Sequence, residues 1–116
     1  MPVRNEFVEF VLEQLAPLGS VSARAMFGGH GIYQRDTIFA LMLEDRLYFK
    51  ADDLNRAEFS ARGLGPFTYT ARGKLTTMKY YEAPPEVFEE PEAMLSWAQQ
   101  AIDAALRMER GKRKAK

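Results

Sequence analysis

The strongest constraint on the fold is a block of four short extended segments between residues 21 and 50. They cover residues 23–27, 32–33, 38–43 and 47–50, are rich in apolar and aromatic residues, and lie only a few residues apart. Parallel strands need a crossover of a dozen or more residues, so segments this close together must pair antiparallel. The block therefore predicts an antiparallel meander.

Helical patterns lie on both sides of this meander. The first helix begins near Asn5, a favourable N-cap, and its apolar residues recur at three- and four-residue spacing. A second helix follows Asp52, and a third, with a similar apolar stripe, runs from about residue 91 to residue 110. Before the third helix, segments 67–70 and 75–81 are β-branched and aromatic and predict a hairpin.

The element order is therefore one helix, four strands, one helix, two strands and one helix. This order predicts an α+β fold in two layers, an antiparallel sheet with the helices packed on one of its faces. With 116 residues, the chain has the commonest size of a single domain and needs no metal or disulfide to fold. We expect a folded domain over residues 1–106 and a basic C-terminal tail over residues 107–116.

The zero net charge hides an uneven distribution. Residues 107–116 carry six of the 16 basic residues and one of the 16 acidic ones, so this tail is +5 and residues 1–106 are −5. Such a tail can bind a nucleic-acid backbone weakly, with a dissociation constant of about 10⁻⁴ to 10⁻⁶ M. The alternative is a solvated, disordered tail. The candidate nucleic-acid contacts are Arg107, Arg110, Lys112, Arg113 and Lys114.

Composition limits both the chemistry and the compartment. The chain has no cysteine, which excludes a disulfide framework, a thiolate nucleophile and cysteine-ligated metal sites. The longest uninterrupted apolar run, residues 38–43, is far shorter than the roughly 20 residues that span a membrane. The N-terminal residues lack the apolar core of a signal peptide. We expect a cytoplasmic protein with no membrane partner.

Three features of the sequence are candidate sites of chemistry. Gly28, Gly29 and Gly31 resemble a phosphate-binding loop, but no lysine–serine pair and no helix follow them, so a turn or bulge is favoured. His30 is the only histidine and has no partner at ligand spacing, which favours an ordinary loop residue. The glutamates between residues 86 and 92 indicate a solvated surface. No catalytic residue, cofactor or metal is predicted.

Strand 38–43 is apolar at every position, although helices in two layers cover only one face of a sheet. Strict alternation directs Phe39, Leu41 and Leu43 to one face, and Ile38, Ala40 and Met42 to the other, where Met26 and Tyr48 can join them. An uncovered apolar face predicts a homodimer or a binding surface for an unidentified protein; the alternative is coverage by loops or by the segment near residue 88. The candidate partner-binding residues are Arg24, Met26, Gly28, Gly29, His30, Gly31, Ile38, Ala40, Met42 and Lys50.

Arg24 and Lys50 are candidates because each is a cation within an otherwise apolar strand. They can present positive charge to a partner. The alternative is that they lie on the solvent face of alternating strands.

The run from Arg24 to Tyr33 resembles the signature of TfoX N-terminal domains: arginine, then Met-Phe-Gly-Gly, a variable residue, glycine, one residue and tyrosine. Matching segments follow in the family's order, and the resemblance covers about residues 5–106. They are Phe39–Leu41, Leu47–Asp52, Pro66–Tyr69, Tyr80–Pro84 and Leu95–Ala98.

The resemblance implies a two-layer fold similar to that of type III secretion chaperones, and a bacterial, cytoplasmic protein linked to the regulation of natural competence genes. Family members of the regulator type carry a second, helical domain, whereas this sequence presents one domain and a basic tail. We therefore expect a non-enzymatic protein-interaction module with a role in transcriptional regulation. The alternative is a nucleic-acid-binding regulator that uses its basic tail.

Overall fold

The computed structural model describes residues 6–26 and 28–114, and for residues 112–114 it describes the backbone alone. The predicted N-cap Asn5 lies outside these residues. The predicted α+β class is confirmed. The elements are α1 (Glu6–Leu15), a 3₁₀ turn (Ala16–Leu18), β1 (Val21–Met26), β2 (Gly29–Gln34), β3 (Thr37–Leu43), β4 (Arg46–Lys50), α2 (Arg56–Ala61), β5 (Pro66–Ala71), β6 (Lys74–Glu82), a second 3₁₀ turn (Pro85–Phe88) and α3 (Pro91–Lys114).

The six strands form one sheet in the order β1-β2-β3-β4-β6-β5, and all neighbours are antiparallel. Strands β1 to β4 form the predicted meander, and β5 and β6 form the predicted hairpin. The hairpin joins the meander through its second strand, since Tyr48 lies opposite Glu82 and Lys50 opposite Tyr80. Strands β1 and β5 are therefore the edges of the sheet.

The helices share one core with one face of the sheet. Five residues that lie opposite one another across β1, β2, β3, β4 and β6 all contribute to this core, and we call them the core row: Ala23, Ile32, Ala40, Phe49 and Tyr81. Val11 and Leu15 of α1 and Met94 and Ile102 of α3 are buried against it. Phe59 of α2 adds ring contacts with centroids 5.4 Å from Tyr81 and 5.0 Å from Trp97.

A β-bulge in β3 changes which residues enter the core. Ile32 lies opposite Ala40, but its neighbour Tyr33 lies opposite Ile38, so Phe39 is an extra residue in its strand. Phe39 and Ala40 are consecutive, yet both are fully buried in the core. The predicted strict alternation was therefore wrong, and with it the division of this strand between the two faces.

The last helix extends beyond its predicted end near residue 110 and continues without a break to Lys114. The backbone of residues 107–114 is therefore helical, where disorder was one of the alternatives. At about 1.5 Å per residue, this helix is roughly 36 Å long. In the described part of the chain, no helix is long and apolar enough to cross a membrane.

Candidate functional site

The sheet face opposite the helices carries the candidate site. One residue along from the core row on each strand lies a second row, formed by Arg24, Gly31, Leu41, Tyr48 and Glu82. Successive residues of a strand point to opposite faces, so this second row points away from the helices. Leu41 agrees with this placement, because it is buried without belonging to the helix-packed core.

The glycines of β2 identify further residues of this face. A Cβ atom on Gly31 would lie 2.4 Å from the Met26 sulfur and 2.9 Å from Ile38 Cδ1. A Cβ on Gly29 would lie 2.5 Å from Leu43 Cδ2. We call this helix-free surface the open face. The side chains of the open face include those of Arg24, Met26, Tyr33, Ile38, Leu41, Leu43, Arg46, Tyr48, Lys50, Phe67, Tyr69, Met78, Tyr80 and Glu82.

The glycines serve sheet geometry. Gly28 has a φ of 78° in the turn between β1 and β2, a conformation that glycine adopts without strain. A Cβ on Gly29 would also lie 2.2 Å from the backbone oxygen of Met42, so only glycine lets the two strands come this close. Gly29, His30 and Gly31 all lie inside β2, where strand pairing uses the backbone groups that a phosphate cradle would need.

Two cations of the open face lie over tyrosine rings. The Arg24 guanidinium carbon is 4.5 Å from the centroid of the Tyr33 ring. The Lys50 ammonium is 4.8 Å from the centroid of the Tyr80 ring and donates a 3.3 Å hydrogen bond to its hydroxyl oxygen. Such contacts contribute roughly 0.5–2 kcal/mol each. Each ring therefore favours a position of its cation over the sheet surface.

Tyr80 is the most enclosed aromatic residue of this group, with only 4% of its surface exposed. Burial, followed by the charge of Tyr33, raises the pKa of Tyr80 to about 12. Its hydroxyl therefore remains protonated at neutral pH and accepts the hydrogen bond from Lys50. This hydrogen bond holds the lysine against the sheet.

An apolar cleft of 280 Å³ opens on the same face between β3 and the β5–β6 hairpin. Its lining residues are Leu41, Leu43, Phe67, Tyr69 and Met78. Strand β5 is three places from β3 in the sheet, yet residues of both strands line this cleft, as the twist of a sheet allows. The Phe67 ring meets the Tyr48 ring nearly edge-on, with centroids 5.1 Å apart, which fixes one wall of the cleft.

A more polar groove of 550 Å³ continues from Leu43 along the sheet. Arg46 and Glu82 lie on its wall with 3.7 Å between their charged atoms. Both side chains are substantially exposed, so this ion pair contributes little to stability. The two side chains contribute no net charge to the open face.

A second polar feature joins the end of α3 to the loop before α2. Arg107 donates two hydrogen bonds to the Asp52 carboxylate, of 2.6 and 2.9 Å, and we call this pair the clamp. Asp52 also accepts hydrogen bonds from the backbone N–H groups of Leu54 and Asn55, but the N-cap of α2 is Asn55. The hydrogen bond from Arg107 is the main reason that the pKa of Asp52 lies below its usual value.

The clamp bears on the predicted nucleic-acid contacts. The guanidinium of Arg107 is already engaged by Asp52, whereas Arg110 is exposed. The side chains of Lys112, Arg113 and Lys114 lie outside the described residues. Among the residues that are described, no group of three or more histidine, aspartate or glutamate side chains could hold a metal ion.

The predicted partner-binding residues do not all lie on one surface: some lie on the open face, and others lie in the core, on the helix side of the sheet or in a turn. Ala40 and Met42 lie in the helix-packed core, so their predicted place on the uncovered face is wrong, and the bulge at Phe39 is the reason. His30 lies opposite Met42 in the sheet, on the helix side, and Gly28 lies in a turn. The remaining candidates do lie on the open face: Arg24, Met26, Gly29, Gly31, Ile38 and Lys50.

Several residues of the open face were missed from the sequence. The pairs Phe67 and Tyr69, and Met78 and Tyr80, recur at two-residue spacing in the hairpin, which is the signal for one shared face. The sequence does not show toward which face they point. Only the pairing of β6 with β4 brings them beside the residues of the meander.

Comparison with known proteins identifies relatives for most of the chain. Residues 13–105 match the family model described as the TfoX N-terminal domain. The chain is 33% identical over 115 residues to the DNA transformation protein TfoX1 of Aliivibrio fischeri, covering 98% of this chain and 52% of that protein. It is 26% identical over 95 residues to protein Sxy of Escherichia coli K12, covering 82% of this chain and 46% of that protein.

A third relative has a similar extent. The DNA transformation protein TfoX of Haemophilus influenzae is 27% identical over 85 residues, which cover 72% of this chain and 39% of that protein. The chain thus spans about half the length of these relatives, or less.

Proposed function

The chain belongs to the TfoX N-terminal domain family, and on this premise we propose that it is a regulatory module that binds a protein partner through its open face. Two of its relatives are named DNA transformation proteins. The proposed role is non-enzymatic and cytoplasmic, in the transcriptional regulation of competence. Because the chain spans about half of TfoX1, activities of the whole relatives enter only as part of this proposal.

The observation that carries the proposal is the apolar character of the open face. Ile38 and Leu43, both partly exposed, and Leu41, which is buried, lie on the sheet surface that none of the described helices covers. Two aromatic side chains, Phe67 and Tyr69, line the cleft together with Leu41 and Leu43. Tyr69 is 42% exposed at the edge of the cleft. Aromatic residues and methionine are enriched where proteins bind one another, and contiguous exposed apolar surface marks such sites.

A capture experiment tests this proposal. The bait is the whole chain, in three forms: wild type, Leu43→Arg on the open face, and Leu54→Arg as a matched control. Leu54 is 73% exposed and lies in the loop before α2, away from the open face. We expect Leu43→Arg to lose a protein from extracts of the native host that wild type and Leu54→Arg both retain, with unchanged circular dichroism for all three.

The same variants test whether the partner is a second copy of the chain. If the partner is a second copy, size-exclusion chromatography with light scattering at micromolar concentration will show a wild-type dimer and a Leu43→Arg monomer. If all three baits capture the same proteins and have the same mass, the open face is not a binding surface and the proposal fails.

A second candidate function is nucleic-acid binding by the end of α3, favoured by the excess of basic residues beyond residue 106. Arg107 should be kept in this test because it stabilises the fold through the clamp. Replacing Arg110, Lys112, Arg113 and Lys114 by glutamine should abolish salt-sensitive binding to duplex DNA. Binding that survives the replacement at moderate salt would eliminate this candidate.

A further inference from the structure

One end of the β5–β6 hairpin extends beyond the rest of the sheet. Strand β4 lies beside residues 80–82 of β6, whereas β5 and β6 remain paired from Thr68 and Thr77 up to the turn. We call this two-stranded segment, residues 68–77, the arm. Two strands alone are marginally stable in water, and a third strand usually stabilises such a hairpin. The arm is therefore a place where a further strand can add to the sheet.

The arm exposes apolar surface and an unprotected strand. Tyr69 is 42% exposed and Leu75 is 73% exposed, so large apolar side chains reach solvent on both of its strands. Proteins usually protect an edge strand with charges, a proline or a bulge. In β5, the proline is the first residue, the irregular pairing lies between Pro66 and Thr68, and no residue is charged. Residues 68–71 therefore lack this protection.

The turn determines which backbone groups of β5 point outward. Its two residues, Arg72 and Gly73, have φ angles of 53° and 78°, as in a type I′ turn. The residues on either side of such a turn pair through hydrogen bonds, and hydrogen-bonded pairs then alternate with non-hydrogen-bonded pairs along the two strands. Counting from the turn, the N–H and C=O groups of Thr68 and Thr70 point away from β6. They can bond to an added strand.

The β5 side of the arm is the accessible one. On the β6 side, Thr77 and Met78 border a groove whose other wall includes Ala51 and Arg56. The Ala51 N–H donates a 3.0 Å hydrogen bond to the carbonyl oxygen of Lys79 there. In contrast, β5 is the last strand of the sheet, and no strand of the described residues pairs with its outer edge. An added strand is therefore expected along β5.

The sequence of β5 is complementary to itself in antiparallel orientation. With Tyr69 on a two-fold axis, Thr68 lies opposite Thr70 of a second copy, and each such pair exchanges two backbone hydrogen bonds. Threonine pairs across strands are stabilising. Phe67 then lies opposite Ala71 of the second copy, so a large side chain meets a small one. Both the backbone groups and the side chains of β5 therefore fit a second β5.

The charges at the two ends of β5 also suit this arrangement. Arg72 and Lys74, at the tip of the arm, are exposed and sum to +2. The polar groove at the base of β5 is lined by Glu44, Arg46 and Glu82, which sum to −1. Antiparallel pairing brings the tip of each copy beside the base of the other. The two tips stay about 20 Å apart, well beyond the screening length of about 8 Å.

We propose that two copies of this chain associate edge to edge through β5, antiparallel, with Tyr69 at the two-fold axis, so that their sheets become continuous. The inference goes beyond the proposed function, because it uses the backbone edge of the sheet rather than the apolar cleft. A single strand pairing is a small interface, so we expect a dissociation constant of about 1–100 micromolar.

The other edge of the sheet is less suited to pairing with its own copy. Arg24 lies in the middle of β1, and a charge in an edge strand protects it from association. An antiparallel copy centred on Arg24 would also bring two like charges directly opposite each other, which is destabilising. Strand β5 carries no such charge.

Cysteine cross-linking tests the register, because the chain has no cysteine of its own. Tyr69→Cys places the two copies of residue 69 in a non-hydrogen-bonded pair with Cα atoms about 4.5 Å apart, which a disulfide can span. Thr70→Cys places its two copies about 8 Å apart, beyond disulfide range. Leu54→Cys, at a 73% exposed residue in the loop before α2, controls for random collision. With copper phenanthroline as oxidant, Tyr69→Cys should form the covalent dimer at least about tenfold faster than either control.

Charged variants test the same register without an oxidant, by sedimentation equilibrium. Thr68→Lys with Thr70→Lys puts like charges in each pair and should raise the dissociation constant at least about tenfold. Thr68→Lys with Thr70→Glu puts opposite charges in the same pairs and should stay within about threefold of wild type. Leu75→Lys with Thr77→Lys is the matched control, because both residues are exposed on β6, away from the interface. It should also stay within about threefold. Circular dichroism of each variant checks the fold.

A chain that remains monomeric up to about 500 micromolar would overturn the inference. So would equal cross-linking of Tyr69→Cys and Thr70→Cys, or equal weakening by the two charged variants of β5. Masses above that of a dimer would also overturn it, because pairing of β5 with β1 of the next copy gives an open chain. Capture of a host protein by the outer edge of β5 in place of a second copy would be a further contradiction.

The fate of the proposed function is measured separately. An edge-to-edge dimer persists in Leu43→Arg, so cross-linking through Tyr69→Cys should proceed with or without that substitution. Loss of the dimer with Leu43-dependent capture intact refutes this inference alone. Loss of Leu43-dependent capture with the cross-link intact refutes the open face as a binding surface and leaves the dimer standing.

Discussion

Replacing Arg107 with alanine should reveal how firmly the end of α3 is held to the body. Arg107 and Asp52 are 55 residues apart in the chain and are joined by two charged hydrogen bonds. The Asp52 side chain is 14% exposed and that of Arg107 is 32% exposed. The alanine variant removes both bonds and leaves a mostly buried carboxylate with only its two backbone donors.

The size of the effect follows from this intermediate burial. Exposed ion pairs contribute about 0–1 kcal/mol, while breaking a fully buried pair costs about 3–5 kcal/mol. Because Asp52 keeps two backbone hydrogen bonds, we expect the free energy of unfolding to fall by about 2 kcal/mol, midway between these two cases. For a chain of this size, 1 kcal/mol lowers the melting temperature by about 4 °C, so the drop should be about 8 °C.

Urea unfolding and thermal melts of three variants provide the measurement. Arg107→Lys keeps the charge but loses the two-pronged geometry, so its loss should lie between those of wild type and Arg107→Ala. Arg110→Ala is the matched control, because Arg110 is exposed and lies one helical turn further along α3. Its unfolding free energy should be within about 0.5 kcal/mol of wild type.

The effect should also depend on pH in one direction. Arg107 holds the pKa of Asp52 below its ordinary value of 3.8, so the clamp stabilises the fold fully above the unfolded pKa. This stabilisation is lost as the pH falls through the folded pKa, when the carboxylate gains a proton. The difference between wild type and Arg107→Ala should stay constant from neutral pH to about pH 5 and shrink below about pH 4.

An Arg107→Ala variant as stable as Arg110→Ala would refute the reasoning. So would a difference from wild type that is unchanged at acidic pH, because the loss would then not come from the charged pair.

Three further outcomes are expected. Gly29→Ala should lose at least about 2 kcal/mol in urea unfolding, because its Cβ meets the Met42 oxygen; Gly65→Ala, where a Cβ meets nothing within 4 Å, should lose less than about 0.5 kcal/mol. In an ultraviolet absorbance titration, one tyrosine should ionise near pH 12, about two units above the usual value; Tyr80→Phe should remove that step, and a step that persists would contradict the assignment. Met42→Lys places an unpaired charge in the core and should prevent folding, whereas Leu43→Lys should fold; equal circular dichroism of these two variants would contradict the assignment of faces.

The elements of this fold were predictable because their signals are local. Turn residues and short strand spacing require antiparallel pairing of β1 to β4, and the apolar stripe of α3 follows from spacing alone. The end of α3 was placed too early because a run of basic residues resembles a tail. Its helical continuation agrees with the helix preference of lysine and arginine, and with the clamp at Arg107.

The candidate site was predicted only in part because it depends on pairings distant in sequence. An apolar strand with a surplus face was visible in residues 38–43, and so were the cations at residues 24 and 50. Residues 40–43 were assigned to the wrong faces because the extra residue at Phe39 reverses every side chain after it, whereas Ile38 and Phe39 lie on the faces predicted for them. Nothing in the sequence locates Phe39 as the extra residue of a bulge, and nothing in it shows that hairpin residues line the same cleft as residues of β3.

The bulge at Phe39 also determines where this chain can change in length during evolution. Deleting one residue between Thr37 and Phe39 would have one of two effects. It would either break the pairing of Ile38 with Tyr33, or turn the side chains of Ala40 and the following residues of β3 to the opposite face of the sheet. The tip of the β5–β6 hairpin has no such restriction, because it is exposed and links strands that are already in register. Insertions and deletions among related proteins should therefore gather at that tip and avoid the first half of β3.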